Sequence, residues 1–269
     1  MNDLRPDSLG LNADNEIEEE LENESNKPVG FNDLMTVMQG AKFKGVDYGF
    51  ENYAQNQSSS ISEPKCDELI KNELSSKIIK YTNHFMVKVY PAYYRQDSSN
   101  LDPIKYWIYG FQIAALNFQT DDNSIKLNEA LFNDNGNCGY VLKPLILRNN
   151  NNSTNQFDPL DINTMNNNKK LSITIISGQQ LPKNKSTFKT DISDPYVSVE
   201  IIGIPFDECE EKTKEVKDNG HNPIWNETFH FTINCPDLCF LKFSVKDKDT
   251  GKDQKIGYKI IRFDSLKTG

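Results

Sequence analysis

The stretch VKDKDTGKD carries three carboxylates within seven positions. Asp247 and Asp249 stand two apart where a strand-like run ends, so both side chains leave one face and can address one cation. Asp253 follows four residues later. Taken alone the stretch is a charged turn, and it fails as an EF-hand because its glycine and closing glutamate are misplaced. A second pair, Lys88 and Tyr90, also stands two apart on a strand-like run, which places a cation and an aromatic ring on the same side. The three histidines (His84, His221, His230) are scattered and read as surface or strand histidines. The five cysteines form no CxxC pair, which argues against a disulfide framework or zinc site and for reduced thiols.

The elements that must position these groups change character along the chain. Residues 1–30 hold the run ADNEIEEELENES and almost no aromatics, so they cannot bury enough apolar area to offset their ordering entropy. They are expected to be a disordered acidic linker. From 31 to 148, short apolar runs alternate with helical patterns. The reading is a helix turn over 34–38, strands at 41–43, 85–90, 112–118 and 140–142, and one helix over 64–79 with Ser62 as N-cap and Glu63 and Asp67 near its positive end. QIAALNF, apolar on both faces, is expected to be a strand buried between a barrel interior and outer helices. Strands separated by helices imply a parallel α/β sheet. Residues 149–170, with two asparagine runs, are expected to link two domains.

After 170 the helical pattern stops. KLSITIIS, PYVSVEII, KTKEVK, ETFHFTI, FLKFSVK and KIGYKII are six strand candidates with turn residues between them. In ETFHFTI, Phe229, Phe231 and Ile233 share one face and Thr228, His230 and Thr232 the other, the alternation of a β-sandwich.

Two segments then become specific. VKVYPAYYRQDSSNLDPIKYWIYGFQIAALNFQT and the later NDNGNCGYVLKPLILR resemble the Y half of the catalytic barrel of phosphoinositide-specific phospholipase C, through YP, DSSN, W, GxQ, ALNFQT and NGxCGYVLKP…LR. FNDLMTVMQGAKFKG resembles, more faintly, the strand that opens that half. Residues 171–269 resemble the C2 domain of the same family, through SGQQLP, ISDPY, NPxW and the aspartate-rich turn. The resemblance implies a multidomain chain: half of a distorted TIM-type α/β barrel, then an all-β C2 sandwich lacking its last strands. It places residues 1–30 at the tail of the acidic linker between the X and Y halves. The X half, with the catalytic histidines and active-site calcium ligands, would lie outside these 269 residues.

For the site, the resemblance implies that Tyr90 packs against the inositol ring, Ser60 contacts a ring phosphate, and Lys88 stands where the family usually has arginine. Lysine is a point charge on a flexible stem and lacks the arginine fork, so phosphate affinity or headgroup selectivity would change. Tyr93 and Tyr94 would belong to a membrane-facing rim. The resemblance also gathers Asp194, Asp218, Asp247, Asp249 and Asp253, with the carbonyl of Ile192, at one end of the sandwich as calcium ligands. Gln254 stands where a further aspartate is usual, and adjacent Asp253 substitutes for it. No catalytic residue is expected in this chain.

The expected activity is calcium-dependent hydrolysis of phosphatidylinositol 4,5-bisphosphate to diacylglycerol and inositol trisphosphate, by a chain inactive alone. The alternative is a non-catalytic, calcium-regulated membrane-lipid-binding module. Expected partners are anionic membrane phospholipids, the phosphatidylinositol 4,5-bisphosphate headgroup and the X half. The net charge of −9, with no clustered basic face, argues against nucleic acid. The expected setting is cytoplasmic, peripheral at the membrane: no apolar run reaches the ~18 residues of a membrane span, and the N-terminus has no signal-peptide pattern.

Overall fold

The computed structural model describes residues 38–148, 157–165, 167–182, 192–249 and 251–266. The expected acidic linker, residues 34–37 of the expected helix turn 34–38, and the first part of the interdomain linker lie outside the described residues. The chain divides into two compact units, residues 1–129 with 142–158, and residues 130–141 with 159–269.

The first unit is built on a four-stranded parallel sheet in the order β1-β2-β3-β4. Its strands are β1 (Gln39–Ala41), β2 (Gln57–Ser62), β3 (Met86–Tyr90) and β4 (Ile113–Ala114). Helices separate them: α1 (Val46–Asn52), then α2 (Glu63–Asn72) and α3 (Ser75–His84), then the short α4 (Ile104–Trp107). α5 (Asn123–Phe132) and the one-turn α6 (Leu145–Arg148) follow.

Several local expectations shift. The helix read over 64–79 is two helices, because Glu73 leaves α2 with extended backbone and Leu74, also extended and 74% exposed, opens α3. Ser62 does occupy the N-cap, but its hydroxyl makes no capping bond and is buried without a partner. β1 lies two residues earlier than expected. β2 was hidden by its sequence, QSSSIS, because serine on both faces erases the apolar alternation that marks a strand. Only Ile113–Ala114 of the 112–118 run is strand, and QIAALNF is not buried on both faces: Ile113 is 41% and Phe118 70% exposed. The run at 140–142 is no strand. Tyr140 and Leu142 stand 80% and 72% exposed, and no described strand pairs with them.

The second unit is all-β. One sheet runs β10-β9-β6-β7 and the other is the pair β5-β8. The strands are β5 (Lys169–Ser177), β6 (Pro195–Ile202), β7 (Cys209–Lys212), β8 (Ile224–Ile233), β9 (Phe240–Asp247) and β10 (Gln254–Arg262), all antiparallel to their neighbours. β7 precedes the expected KTKEVK. Val199, Ile201 and Leu241 from one sheet and Phe231 and Ile233 from the other form the core, as the alternation in ETFHFTI requires. On the outer face of the β5-β8 pair, Ser172 meets His230 at 2.9 Å and Thr174 meets Thr228 at 2.8 Å.

Candidate functional site

The parallel sheet has unlike faces. Ser59 and Ile61 of β2 and Val87 and Val89 of β3 are buried on one side. On the other, Ser60 is half-buried, Lys88 exposed, Tyr90 half-buried and Ile113 exposed. Register brings the predicted residues together. Ser60 pairs with Lys88, Lys88 in turn with Ile113, and Ser62 with Tyr90. A hydroxyl, an ammonium and a phenol ring therefore converge on one face at the C-terminal ends of β2 and β3. Parallel sheets are normally covered on both faces, so an open face lined by polar groups is unusual and is a candidate lumen or site.

Beyond the strand ends, Glu63 is 6% exposed and forms a two-pronged ion pair with Arg95. Glu63 looked from sequence like a helix-start acid. The signal that it pairs is an arginine 32 residues away, which no local pattern connects. Tyr93 and Tyr94 immediately precede Arg95 on the same loop, 44% and 58% exposed, with their rings edge to face.

At one end of the sandwich, backbone-to-carboxylate hydrogen bonds draw three loops together. Asp194 N–H donates to Asp247 Oδ1 at 2.7 Å, and Asp218 N–H donates to Asp194 Oδ1 at 2.7 Å. Asp218 holds a positive φ of 52°. Asp249 N–H lies 3.4 Å from Asp253 Oδ1. Asp253 Oδ2 accepts the Tyr196 hydroxyl at 2.6 Å and lies 3.4 Å from Lys248 Nζ. The Tyr196 hydrogen bond, above all, holds the Asp253 carboxyl below its ordinary value. Burial, with Asp253 next to it, pushes the Tyr196 phenol up.

This donor set, carboxylates and the carbonyl of Ile192, a residue 54% exposed, has the hard-oxygen chemistry calcium takes. Among the described residues, no three His, Cys, Asp or Glu side chains stand close enough together to hold an ion. Tyr196 and Lys248, which the sequence did not single out, engage Asp253 instead.

Comparison with known proteins agrees with these two halves. Residues 31–146 match Phosphatidylinositol-specific phospholipase C, Y domain, and residues 169–269 match C2 domain. The chain carries a phosphoinositide phospholipase C Y domain followed by a C2 domain. It is 39% identical over 213 residues to human 1-phosphatidylinositol 4,5-bisphosphate phosphodiesterase eta-1, covering 78% of this chain and 12% of that protein. It is 34% identical over 276 residues to the delta-4 phosphodiesterase of Xenopus laevis, covering 98% of this chain and 36% of the relative. It is also 39% identical over 246 residues to Inactive phospholipase C-like protein 2 of Mus musculus, covering 88% and 21%. The crystal structure of L. pealei PLC21 superposes with a TM-score of 0.78 at 28% identity, covering 100% of this chain and 34% of that one. The chain thus spans about one-eighth to one-third of the length of these relatives. No described helix is long and apolar enough to cross a membrane.

Proposed function

We propose that this phospholipase C Y domain and C2 domain supply the headgroup-recognising and membrane-docking parts of a calcium-dependent phosphodiesterase that cleaves phosphatidylinositol 4,5-bisphosphate to diacylglycerol and inositol trisphosphate. The observation that carries the reading is the register of Ser60 with Lys88 and of Ser62 with Tyr90 on one open face. Tyr90 stacks on the inositol ring, Ser60 donates to a ring phosphate, and Lys88 supplies charge to it. An X half would close the barrel by pairing with the edge strands β1 and β4, enclosing the open face as the lumen and bringing the proton-transferring groups. Residues 31–148 act as the barrel half and 171–269 as the C2 domain, with 149–170 between them. The protein works in the cytoplasm, peripherally at anionic membranes. In the C2 loops, Asp194, Asp218, Asp247, Asp249 and the Ile192 carbonyl would hold calcium, with Asp253 completing the set. Bound there, calcium would relieve repulsion among the carboxylates and bridge them to lipid phosphates.

A second reading, a calcium-regulated lipid-binding module without chemistry, is favoured by the relatives whose names call them inactive. Inositol phosphate release from mixed micelles separates the two. The chain alone should release none, because a lost acid–base group costs roughly 10²–10⁴ in rate. Co-expression with an X half from a complete relative should restore release. Failure of every X half tried, with lipid binding intact, would favour the second reading.

A further inference from the structure

One ion pair, with Glu63 buried and Arg95 partly buried, ties the loop that leaves β3 to the helix that follows β2. Arg95 Nε donates to Glu63 Oε2 and Nη2 to Oε1, both at 2.6 Å. The same Oε2 accepts Ala92 N–H at 3.1 Å, and Arg95 Nη1 reaches Ser99 Oγ at 3.2 Å. A single carboxylate therefore holds the loop at Ala92 and Arg95, and the guanidinium holds it again at Ser99. Ser60 lies three residues before Glu63, and Tyr90 five before Arg95. At the end of β2, in register with Tyr90, the Ser62 hydroxyl is 1% exposed and without a hydrogen-bond partner.

A pair with one partner buried and the other partly so contributes little net stability. Removing two charges from water costs several kcal/mol per ion, and apolar residues of similar volume often do as well or better. What the pair does supply is geometry, because a planar fork on a carboxylate fixes distance and orientation together.

We propose that Glu63 and Arg95 are positioning residues for the headgroup, setting the separation and tilt of the strand ends that carry Ser60 and Tyr90. This rests on the headgroup reading of the open face. The clamp acts before any ligand arrives, so its effect falls on recognition more than on folding.

The test uses the full chain and inositol 1,4,5-trisphosphate as the probe, read by titration calorimetry beside thermal unfolding. In the apolar pair Glu63→Leu with Arg95→Met, the melting temperature should stay within a few degrees while binding weakens by about tenfold or more, the scale of one lost charged hydrogen bond. Arg95→Lys keeps the charge and loses the fork, and it should weaken binding in the same direction with little change in melting. If the apolar pair does not fold, Arg95→Lys decides alone. Binding unchanged in these variants, while Tyr90→Leu weakens it, would overturn the clamp and leave the headgroup reading standing. If Tyr90→Leu and Ser60→Ala also change nothing, or the unaltered chain takes up no trisphosphate, the headgroup reading falls and the clamp with it.

Discussion

Lys143 shows how a single side chain records its surroundings. Its ammonium donates to the Thr82 carbonyl at 2.7 Å, near the end of α3, and burial pushes its pKa down to about 8. An unfolded lysine titrates near ~10.4. Between about pH 8 and 10.4 the unfolded chain holds a proton that the folded chain has released, so stability rises with pH through that window. Below it, both states are charged and the folded state bears the full cost of burying the charge. Denaturant titrations of the unaltered chain against Lys143→Met should therefore show a difference moving in favour of the unaltered chain by on the order of 1–2 kcal/mol between pH 7 and 9.5. A flat difference would mean the amine is solvated. At Lys88, restoring arginine should strengthen phosphate recognition in an enzyme completed by an X half, because a fork adds a second charge-assisted hydrogen bond. The readout is the KM for phosphatidylinositol 4,5-bisphosphate in mixed micelles, and an unchanged KM would remove Lys88 from the site.

At the scale of elements, close approach between helices depends on what is absent. A Cβ on Gly49 of α1 would lie 2.5 Å from Tyr81 Cε2 and 3.1 Å from Tyr53 Cδ2. Tyr81 cannot yield, since it is 1% exposed and packed against Phe43, Phe50 and Phe85. Gly49→Ala should therefore destabilise by ~1–3 kcal/mol through overpacking, despite alanine's better helix propensity. Gly110 is nearly as tight, and its backbone is left-handed as well. Its φ is +82°, and a Cβ would meet Thr82 Oγ1 at 2.6 Å, the hydroxyl that donates to Tyr109 O at 2.9 Å. Gly110→Ala adds left-handed backbone strain to the clash, so it should lower the melting temperature more than Gly49→Ala does. The reverse order would show that the α3 end is softer than its hydrogen bonds indicate.

For the whole molecule, the three-loop aspartate set predicts a calcium increment in membrane binding. The full chain should cosediment with anionic vesicles more strongly in calcium than in chelator, and Asp247→Asn with Asp249→Asn should abolish the increment. Equal sedimentation in both conditions would remove calcium from the C2 loops. The Arg262 guanidinium illustrates why unit boundaries differ from sequence boundaries. It pairs with Asp134 at 2.8 Å, and Ser265 Oγ reaches the same carboxylate at 3.3 Å. Residues 130–141 belong to the same compact unit as the β-sandwich, although their motif continues the barrel half.

The sequence by itself determined both halves, because their signals are local. Collinear motifs from Val87 to Arg148 and the two-residue alternation in ETFHFTI need no knowledge of distant neighbours. The shared face of Lys88 and Tyr90 followed in the same way, since strand geometry fixes it two residues at a time. Tertiary structure alone decided which groups meet across the chain. β2 was invisible until its parallel register with β3 set Ser60 beside Lys88. Glu63 found Arg95, and Tyr196 found Asp253, over 32 and 57 residues. Tyr140 and Leu142 had the pattern of a strand but no described neighbour to pair with. A strand is completed by hydrogen bonds from another segment and a buried charge by a distant partner, so neither is written in the local order of residues.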